Sequence, residues 1–206
     1  MPIQAHITPF DATLQTVKDV RCLNIFQGDN NEIELSKKLT NSRLERRLSL
    51  DDYLSMTNDC QVFKSSRGYL TGPVSQKEKD FPIAFSIMMY TDAEQTERLL
   101  RAIYRPHNVY CIHVDAKAQK EFMALSAVAR CFDNVVMASR RVYVGWNNFT
   151  SLEADLICME DLWTKSKKWK YFINLTGQEF PLRTNYELVQ ILEAFGGAND
   201  LFGSRR

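Results

Sequence analysis

The sequence predicts an α/β fold built on a parallel sheet. From about residue 81 onward, short apolar runs alternate with amphipathic segments of helical length, the pattern of strand–helix–strand units. The first run, Pro82-Ile-Ala-Phe-Ser-Ile-Met-Met-Tyr90, is almost continuously apolar, as expected for a strand that is covered on both faces. Because crossovers between such strands are right-handed and contain a helix, a parallel sheet is the expected arrangement.

The remaining elements follow this strand in a regular order. Thr91 and Glu94 form a Thr-x-x-Glu capping-box pattern, which predicts a helix that ends before Pro106. The later elements alternate in the same way: strand 109–114, helix 118–130, strand 135–138, helix 151–163, strand 171–175, and a helix capped by Thr184-x-x-Glu187 that closes at Gly196-Gly197.

Residues 1–80 differ from the rest of the chain. They are polar and weakly periodic, although a charged stretch from Asn31 predicts one exposed helix. A second short helix is predicted to start at Asp51 or Asp52. We interpret residues 1–80 as a mostly helical stem or covering segment, and residues 81–206 as the globular part.

Composition excludes several classes of protein. The 206 residues are 45% hydrophobic and 25% charged, which is typical of a soluble globular domain. Lys and Arg number 26 against 25 acidic residues, a net charge of +1, so no nucleic-acid partner is predicted. No apolar stretch approaches the roughly 18–20 residues of a membrane span, and residues 1–16 show no signal peptide.

The cysteine arithmetic leaves two alternatives open. Five reduced thiols, or two disulfides and one unpaired cysteine, are equally compatible with the spacing. No C-x-x-C pair or zinc-like pairing with histidine is present. The five positions are Cys22, Cys60, Cys111, Cys131 and Cys158.

The predicted sheet directs attention to the carboxyl ends of its strands, where ligands bind in open α/β sheets. Neither the dinucleotide-binding G-x-G-x-x-G motif nor the P-loop is present, and there is no D-x-D. Glu153-Ala-Asp155 falls in a predicted helix, where side chains two positions apart face different directions, so no metal site is predicted. The candidate places are Tyr90-Thr91-Asp92, His113-Val-Asp115, Trp146 with its neighbours, and Thr176-Gly-Gln-Glu179.

Four segments resemble one enzyme family over the chain from about Cys22 to its last residue. They are Arg98-Leu-Leu-Arg-Ala-Ile-Tyr104, Val109-Tyr-Cys-Ile-His-Val-Asp115, Ala154-Asp-Leu-Ile-Cys-Met-Glu-Asp-Leu162 and Trp169-Lys-Tyr-Phe-Ile-Asn-Leu-Thr-Gly-Gln-Glu-Phe-Pro-Leu-Arg-Thr-Asn185. The sequence is similar to the branching β-1,6-N-acetylglucosaminyltransferases of the core-2 and I-branching group. This group shares a broader family with the protein O-xylosyltransferases.

The resemblance implies a glycosyltransferase-A-like fold and a defined reaction. In this reaction, N-acetylglucosamine is transferred from UDP-N-acetylglucosamine, with inversion at its anomeric carbon, to galactose or N-acetylgalactosamine of a glycan. The new linkage is β-1,6. Neither a metal nor another cofactor is expected. The implied location is the Golgi, with membrane contact only through an N-terminal anchor that this sequence lacks. The alternatives are peptide O-xylosyl transfer and a non-catalytic fragment of such an enzyme.

The resemblance also implies that residues 81–206 are the UDP-sugar-binding half of a catalytic domain. A glycosyltransferase of this kind needs a carboxylate base on the acceptor hydroxyl and basic residues on the departing diphosphate. In the family both lie in the second half of the domain, so the general base is expected beyond Arg206. We therefore expect no catalytic residue within this chain, and no transfer by these 206 residues alone.

The resemblance places donor-binding residues at Met88, Met89, Tyr90, Asp115 and Trp146. Asp115 is expected to accept hydrogen bonds from ribose or uracil, or alternatively to act as a helix N-cap. The methionines are equally compatible with plain core packing. Trp146 stands at a family tyrosine, where it would stack on the base or only fill a packing gap.

Two further residues are expected near the point where donor sugar and acceptor meet. They are Gly177 and Glu179, and the carboxylate of Glu179 would alternatively cap the following turn. His113 is expected to be a hydrogen-bonded structural histidine. The implied disulfides are Cys60–Cys131 and Cys111–Cys158, with Cys22 bonded to a cysteine outside this chain; oxidation of this kind requires a secretory compartment.

Overall fold

The computed structural model describes residues 19–44, 47–72, 75–145 and 147–199. Within these ranges, the helices fall short of the length and hydrophobicity that a membrane span requires. The elements in chain order are α1 (Cys22–Phe26), α2 (Asn30–Leu44), α3 (Leu50–Met56), α4 (Cys60–Arg67), α5 (Gln76–Asp80), β1 (Ile83–Met89), α6 (Ala93–Ile103), β2 (Val109–Val114), α7 (Gln119–Ala129), β3 (Val135–Met137), α8 (Phe149–Lys165), β4 (Tyr171–Thr176) and α9 (Asn185–Ala194).

Contacts along the chain define two compact units, the first ending at Arg47 and the second beginning at Leu48. The first unit contains α1 and α2. Asp29 accepts hydrogen bonds through Oδ1 from the backbone N–H groups at the start of α2, which explains why this helix begins there. The exposed helix predicted from Asn31 is therefore present as α2, whereas α1, which holds the free thiol of Cys22, was not predicted.

The second unit is built on a four-stranded sheet in the order β3-β2-β1-β4, in which every pair of strands is parallel. The predicted α/β fold with a parallel sheet is confirmed. The pairings Met88↔His113 and Met88↔Thr176 place the carboxyl ends of β1, β2 and β4 side by side. The observed strands begin and end within two residues of their predicted bounds.

Helices cover both faces of the sheet, and alternate residues of β1 enter two separate cores. Phe85 and Ile87 pack with residues of α3, α4, α6, α7 and α9. Ala84 packs on the opposite face with α8, where Cys158 and Leu162 are buried. Because β1 is buried on both faces, its sequence is a nearly continuous apolar run rather than an alternating one.

One disulfide lies on each side of the sheet. Cys60 at the start of α4 is bonded to Cys131 just beyond α7, and Cys111 of β2 is bonded to Cys158 of α8. These are the two pairs that the resemblance implies. The bridges join residues 71 and 47 positions apart, and loops of that length correspond to about 4 kcal/mol of stabilisation each on a chain-entropy estimate.

One local prediction needs correction. Helix α6 is capped by Asp92, which accepts a hydrogen bond from Gln95 N through Oδ1 at 3.0 Å, and not by Thr91. Asp92 adopts φ 66°, a conformation that aspartate tolerates better than most residues. By contrast, Thr184 and Glu187 form the predicted capping box at the start of α9.

Residues 48–72 and 75–80 belong to the same compact unit as the sheet. Helices α4 and α5 were not predicted in this region, although α3 was expected to begin near Asp51. Tyr53 of α3 and Phe63 of α4 are buried in the core on the α6 and α7 side. The compact unit that contains the sheet therefore begins at Leu48. The division of the chain at residue 80 into a stem and a half-domain stays a prediction.

Disulfide mapping tests this arrangement. We expect non-reducing peptide mapping of the protein secreted from a eukaryotic host to recover Cys60 linked to Cys131 and Cys111 linked to Cys158. Each pair joins elements that pack together, so oxidation reinforces existing contacts. Four alkylatable thiols at these positions in natively folded, secreted protein would contradict the pairing.

Candidate functional site

A cavity of about 400 Å³ opens at the carboxyl edge of the sheet. The ends of β1, β2 and β4 form its floor, and the segment before and at the start of α8 forms one wall. This is where a parallel sheet is expected to bind a ligand. Its lining residues are Met88, Met89, Tyr90, Thr91, Asp115, Lys117, Val144, Gly145, Ser151, Thr176, Gly177 and Gln178.

The structure brings together five of the seven residues that the sequence singled out: Met88, Met89, Tyr90, Asp115 and Gly177. Trp146, which follows the lining residue Gly145 in sequence, lies outside the described residues. Glu179 is placed beside the cavity but is not among its lining residues. The roles of all seven in donor or acceptor binding stay predictions.

Asp115 joins two segments of the cavity wall through its carboxylate. Oδ1 accepts a hydrogen bond from Lys117 N at 2.9 Å, and Oδ2 accepts one from Val144 N at 3.2 Å. The alternative of a helix N-cap is wrong, because Ala118 is the N-cap of α7 and Asp115 caps the turn before it. Asp115 is buried, yet it still lines the cavity with acceptor capacity to spare.

Lys117 is a cavity residue that the sequence reasoning missed. Its Nζ lies 3.3 Å from Asp115 Oδ2, donates to Val144 O at 3.0 Å, and stands 5.2 Å from the centroid of the Tyr90 ring. The ammonium therefore connects the ends of β1 and β2 to the wall before α8. Its position just beyond a strand end is the signal that could have identified it.

Gly177 allows the chain beyond β4 to pass close to β1 and α6. Its N–H donates to Met88 O at 2.8 Å. A Cβ at this position would lie 2.6 Å from Thr96 Oγ1 and 2.9 Å from Met89 Cβ, both closer than van der Waals contact permits. Glycine is required here because the Thr96 and Met89 side chains leave no room for a Cβ, not because of an unusual φ.

Glu179 makes the turn-capping contact that is the alternative to a role near the donor sugar and acceptor. Its Oε2 accepts a hydrogen bond from Thr176 N at 2.6 Å, which closes the turn at the end of β4. The side chain thereby stabilises the backbone that carries Thr176 and Gly177 into the cavity. A role of Glu179 towards an acceptor stays a prediction.

His113 is buried within β2 and has the structural role expected of it. Its Nε2 accepts a hydrogen bond from Val142 N at 3.1 Å, which requires a neutral ring. Burial lowers the pKa of His113, and this effect exceeds the opposing influence of Asp115. The histidine thus holds the segment that leads to Val144 against the sheet.

No cluster of three or more histidine, cysteine, aspartate or glutamate side chains suited to a metal occurs in the part of the chain that the structure describes. The Glu153-Ala-Asp155 sequence lies in α8, where its two carboxylates face different directions as expected. Glu153 pairs with Arg140, whereas Asp155 contacts β1 and β4. Metal independence stays a prediction.

Comparison with known proteins identifies the family. Residues 83–206 match the family model described as "Branch: Core-2/I-Branching enzyme". The chain belongs to this family. The predicted glycosyltransferase-A-like α/β fold agrees with this membership, and the cavity lies within the matched residues.

Several curated relatives are similar over most of the chain. A human β-1,3-galactosyl-O-glycosyl-glycoprotein β-1,6-N-acetylglucosaminyltransferase is 43% identical over 187 residues, which are 89% of this chain and 44% of the relative. A second human enzyme, numbered 3 in that series, is 40% identical over 192 residues, 91% of this chain and 44% of the relative. An enzyme from bovine herpesvirus 4, with the same name as the first human enzyme, is 41% identical over 192 residues, 91% of this chain and 44% of the relative. The chain thus spans about 44% of the length of these relatives.

Substituting the two cavity glycines tests the close approach at the end of β4. We expect Gly177→Ala to lower the free energy of unfolding by about 1–3 kcal/mol, because its Cβ would overlap Thr96 and Met89. Gly145→Ala is the matched control and should cost less, since the atoms nearest to its Cβ belong to the exposed side chain of Asn148, at 3.3 Å, which can shift aside. Denaturant unfolding measures both variants. Equal stability of Gly177→Ala and the unsubstituted protein would contradict the packing described.

Proposed function

We propose that this protein transfers N-acetylglucosamine from UDP-N-acetylglucosamine, in β-1,6 linkage, to galactose or N-acetylgalactosamine of a glycan. The observation that carries the proposal is the cavity at the carboxyl edge of a parallel sheet, within a chain that belongs to the core-2/I-branching family. Its relatives are named β-1,6-N-acetylglucosaminyltransferases, which supports this donor sugar and linkage.

The chemical character of the cavity supports a nucleotide-sugar as its ligand. Met88, half-buried at the end of β1, offers an apolar surface on which a planar base can lie, and Tyr90 adds an aromatic ring, whereas the Met89 side chain is buried in the core on the other face of the sheet. Asp115 is a fixed acceptor for the N–H of uracil or a ribose hydroxyl. Lys117 places a positive charge beside that carboxylate, which lowers the cost of bringing an anionic diphosphate nearby.

The proposed reaction is a single inverting displacement. The 6-hydroxyl oxygen of the acceptor sugar attacks the anomeric carbon of the donor while a carboxylate base takes its proton. The bond between that carbon and the β-phosphate oxygen breaks, and UDP departs with the electron pair. In this scheme residues 81–206 hold the donor, and the base and the cations for UDP are expected beyond Arg206. Metal independence is part of the proposal.

We further propose that the protein acts in the Golgi lumen. Disulfides persist in the oxidising secretory compartments and are rare in the cytosol. Cys111, Cys131 and Cys158 are buried and Cys60 is half-buried against the core, so both bridges are part of the folded structure rather than surface modifications. The glycan acceptors of such an enzyme, on glycoproteins or glycolipids, are found in the same compartment.

A transfer assay tests the proposed function. The full-length protein, secreted from a eukaryotic host, is incubated with UDP-N-acetylglucosamine and a glycopeptide that carries a β-1,3-galactosyl-N-acetylgalactosamine group. We expect a product one N-acetylhexosamine heavier, with a β-1,6 linkage on methylation analysis, in EDTA as well as with added manganese. Transfer of xylose from UDP-xylose to a serine peptide, or no transfer of either sugar, would overturn the proposal.

A further inference from the structure

Asp155 is a half-buried carboxylate that connects three elements beside the cavity. It projects from α8 towards the sheet, where its Oδ1 accepts a hydrogen bond from Ser86 Oγ of β1 at 2.7 Å. Its Oδ2 accepts one from Asn174 Nδ2 of β4 at 3.2 Å. A single side chain therefore links the helix to two adjacent strands.

The sheet register places this network directly behind the floor of the cavity. Ser86 and Asn174 are partners in the pairing of β1 with β4, and the pair two residues further along is Met88 and Thr176. Both members of that second pair line the cavity. The network and the floor lie on the same face of the sheet because strand side chains repeat every second residue.

On α8, as on the strands, the network lies one step away from a residue that lines the cavity. Ser151, one turn before Asp155 on α8, also lines the cavity. Residues four apart on a helix lie on the same face, one above the other. Fixing Asp155 to the strands therefore fixes the height of Ser151 over the floor of the cavity.

The end of β4 has few other restraints. Within the described residues β4 pairs only with β1, and its Asn174 and Thr176 side chains are exposed. Beyond the ladder with β1, this strand end is held by the Gly177 contact, by the Glu179 cap of the turn, by a hydrogen bond from Gln95 Nε2 of α6 to Gln178 O, and by the Asp155 network. Of these contacts, the Asp155 hydrogen bond is the one made to α8, the helix that carries Ser151 in the cavity wall.

The electrostatic setting of Asp155 is also unusual for a residue that only fastens a helix to a sheet. Burial raises the pKa of Asp155, the hydrogen bonds from Ser86 and Asn174 oppose that rise, and the charge of Glu179 adds to it. Glu179, which acts on Asp155 through its charge, lies in the turn after β4. On the β2 side, α8 is joined to the sheet by the Cys111–Cys158 disulfide. An apolar residue would join the helix to the sheet without this desolvation cost.

We propose that Asp155 is a positioning residue of the donor site. It holds α8, β1 and β4 together so that Ser151, Met88 and Thr176 keep the separation that a bound UDP-sugar requires. The inference rests on the proposed function, since it assigns a role within the same cavity.

Kinetics of Asp155 variants of the full-length enzyme test this role. We expect Asp155→Ala to raise the KM for UDP-N-acetylglucosamine roughly tenfold, the effect of losing one well-made hydrogen-bond link, while the KM for the acceptor is unchanged. Asp155→Asn retains an acceptor for Ser86 and should recover most of the donor affinity. Glu160→Gln, which neutralises an exposed carboxylate on the same helix, is the matched control and should behave as the unsubstituted enzyme.

Variants of the two partners keep the test decisive if Asp155→Ala does not fold. Ser86→Ala and Asn174→Ala each remove one hydrogen bond, and both should raise the donor KM. A double variant of Asp155 and Asn174 should be no worse than Asp155→Ala alone, because both changes break the same link.

Two outcomes would overturn the inference, and they are distinguishable. A lower melting temperature with an unchanged donor KM in the Asp155, Ser86 and Asn174 variants would show that the network only fastens the helix, and the proposed function would stand. An unsubstituted enzyme without activity towards UDP-N-acetylglucosamine would overturn the proposed function, and this inference with it.

Discussion

The hydrogen bonding of β1 to a parallel strand on each side determines where the candidate site lies. The pairing of β1 with β2 and with β4 brings three carboxyl ends to one edge of the sheet. The residues at those ends are separated by 25 or more positions in sequence, and only this register makes Met88, Asp115 and Thr176 neighbours. A slip of one residue would turn the lining side chains of a strand to the other face.

The cavity is held open by contacts that are mostly made to backbone. Asp115 and His113 at the end of β2 accept hydrogen bonds from the N–H groups of Val144 and Val142, and so hold the wall before α8. Glu179 closes the turn after β4 in the same manner. Several side chains first regarded as ligand-binding candidates thus have a structural partner already. For Asp115 the two roles are compatible, since a carboxylate has more acceptor sites than these contacts use.

The sequence predicted the strands and the longer helices well because burial on both faces leaves a clear pattern. The apolar run of β1 and the bounds of β2 are examples. The short helices α1, α4 and α5 were missed because segments of five to eight residues are too short to show a helical period. The cap of α6 was misplaced by one residue because Thr91 and Asp92 are both favourable N-cap residues.

The site was predicted less completely, since side-chain contacts depend on register and loop geometry. Strand ends identified Tyr90, Asp115 and Gly177, and the family resemblance added Met88, whereas Lys117 was missed because only its place beyond the end of β2, and no motif, marks it. Asp155 was considered only as part of a metal motif, and its link to Ser86 and Asn174 is visible only once β1 and β4 are paired. The disulfide pairs came from the family resemblance, because the cysteine spacing alone allows several pairings.

The most direct test of the central claim, that this cavity binds the uridine diphosphate group, is the UDP dissociation constant of Asp115→Asn. Calorimetric titration of the full-length protein should show UDP binding that weakens by about 1–3 kcal/mol in this variant, because an acceptor facing the nucleotide is lost. Asp133→Asn, an exposed aspartate beyond α7, is the control and should bind UDP as the unsubstituted protein does. A lower melting temperature with an unchanged UDP dissociation constant in Asp115→Asn would contradict the account.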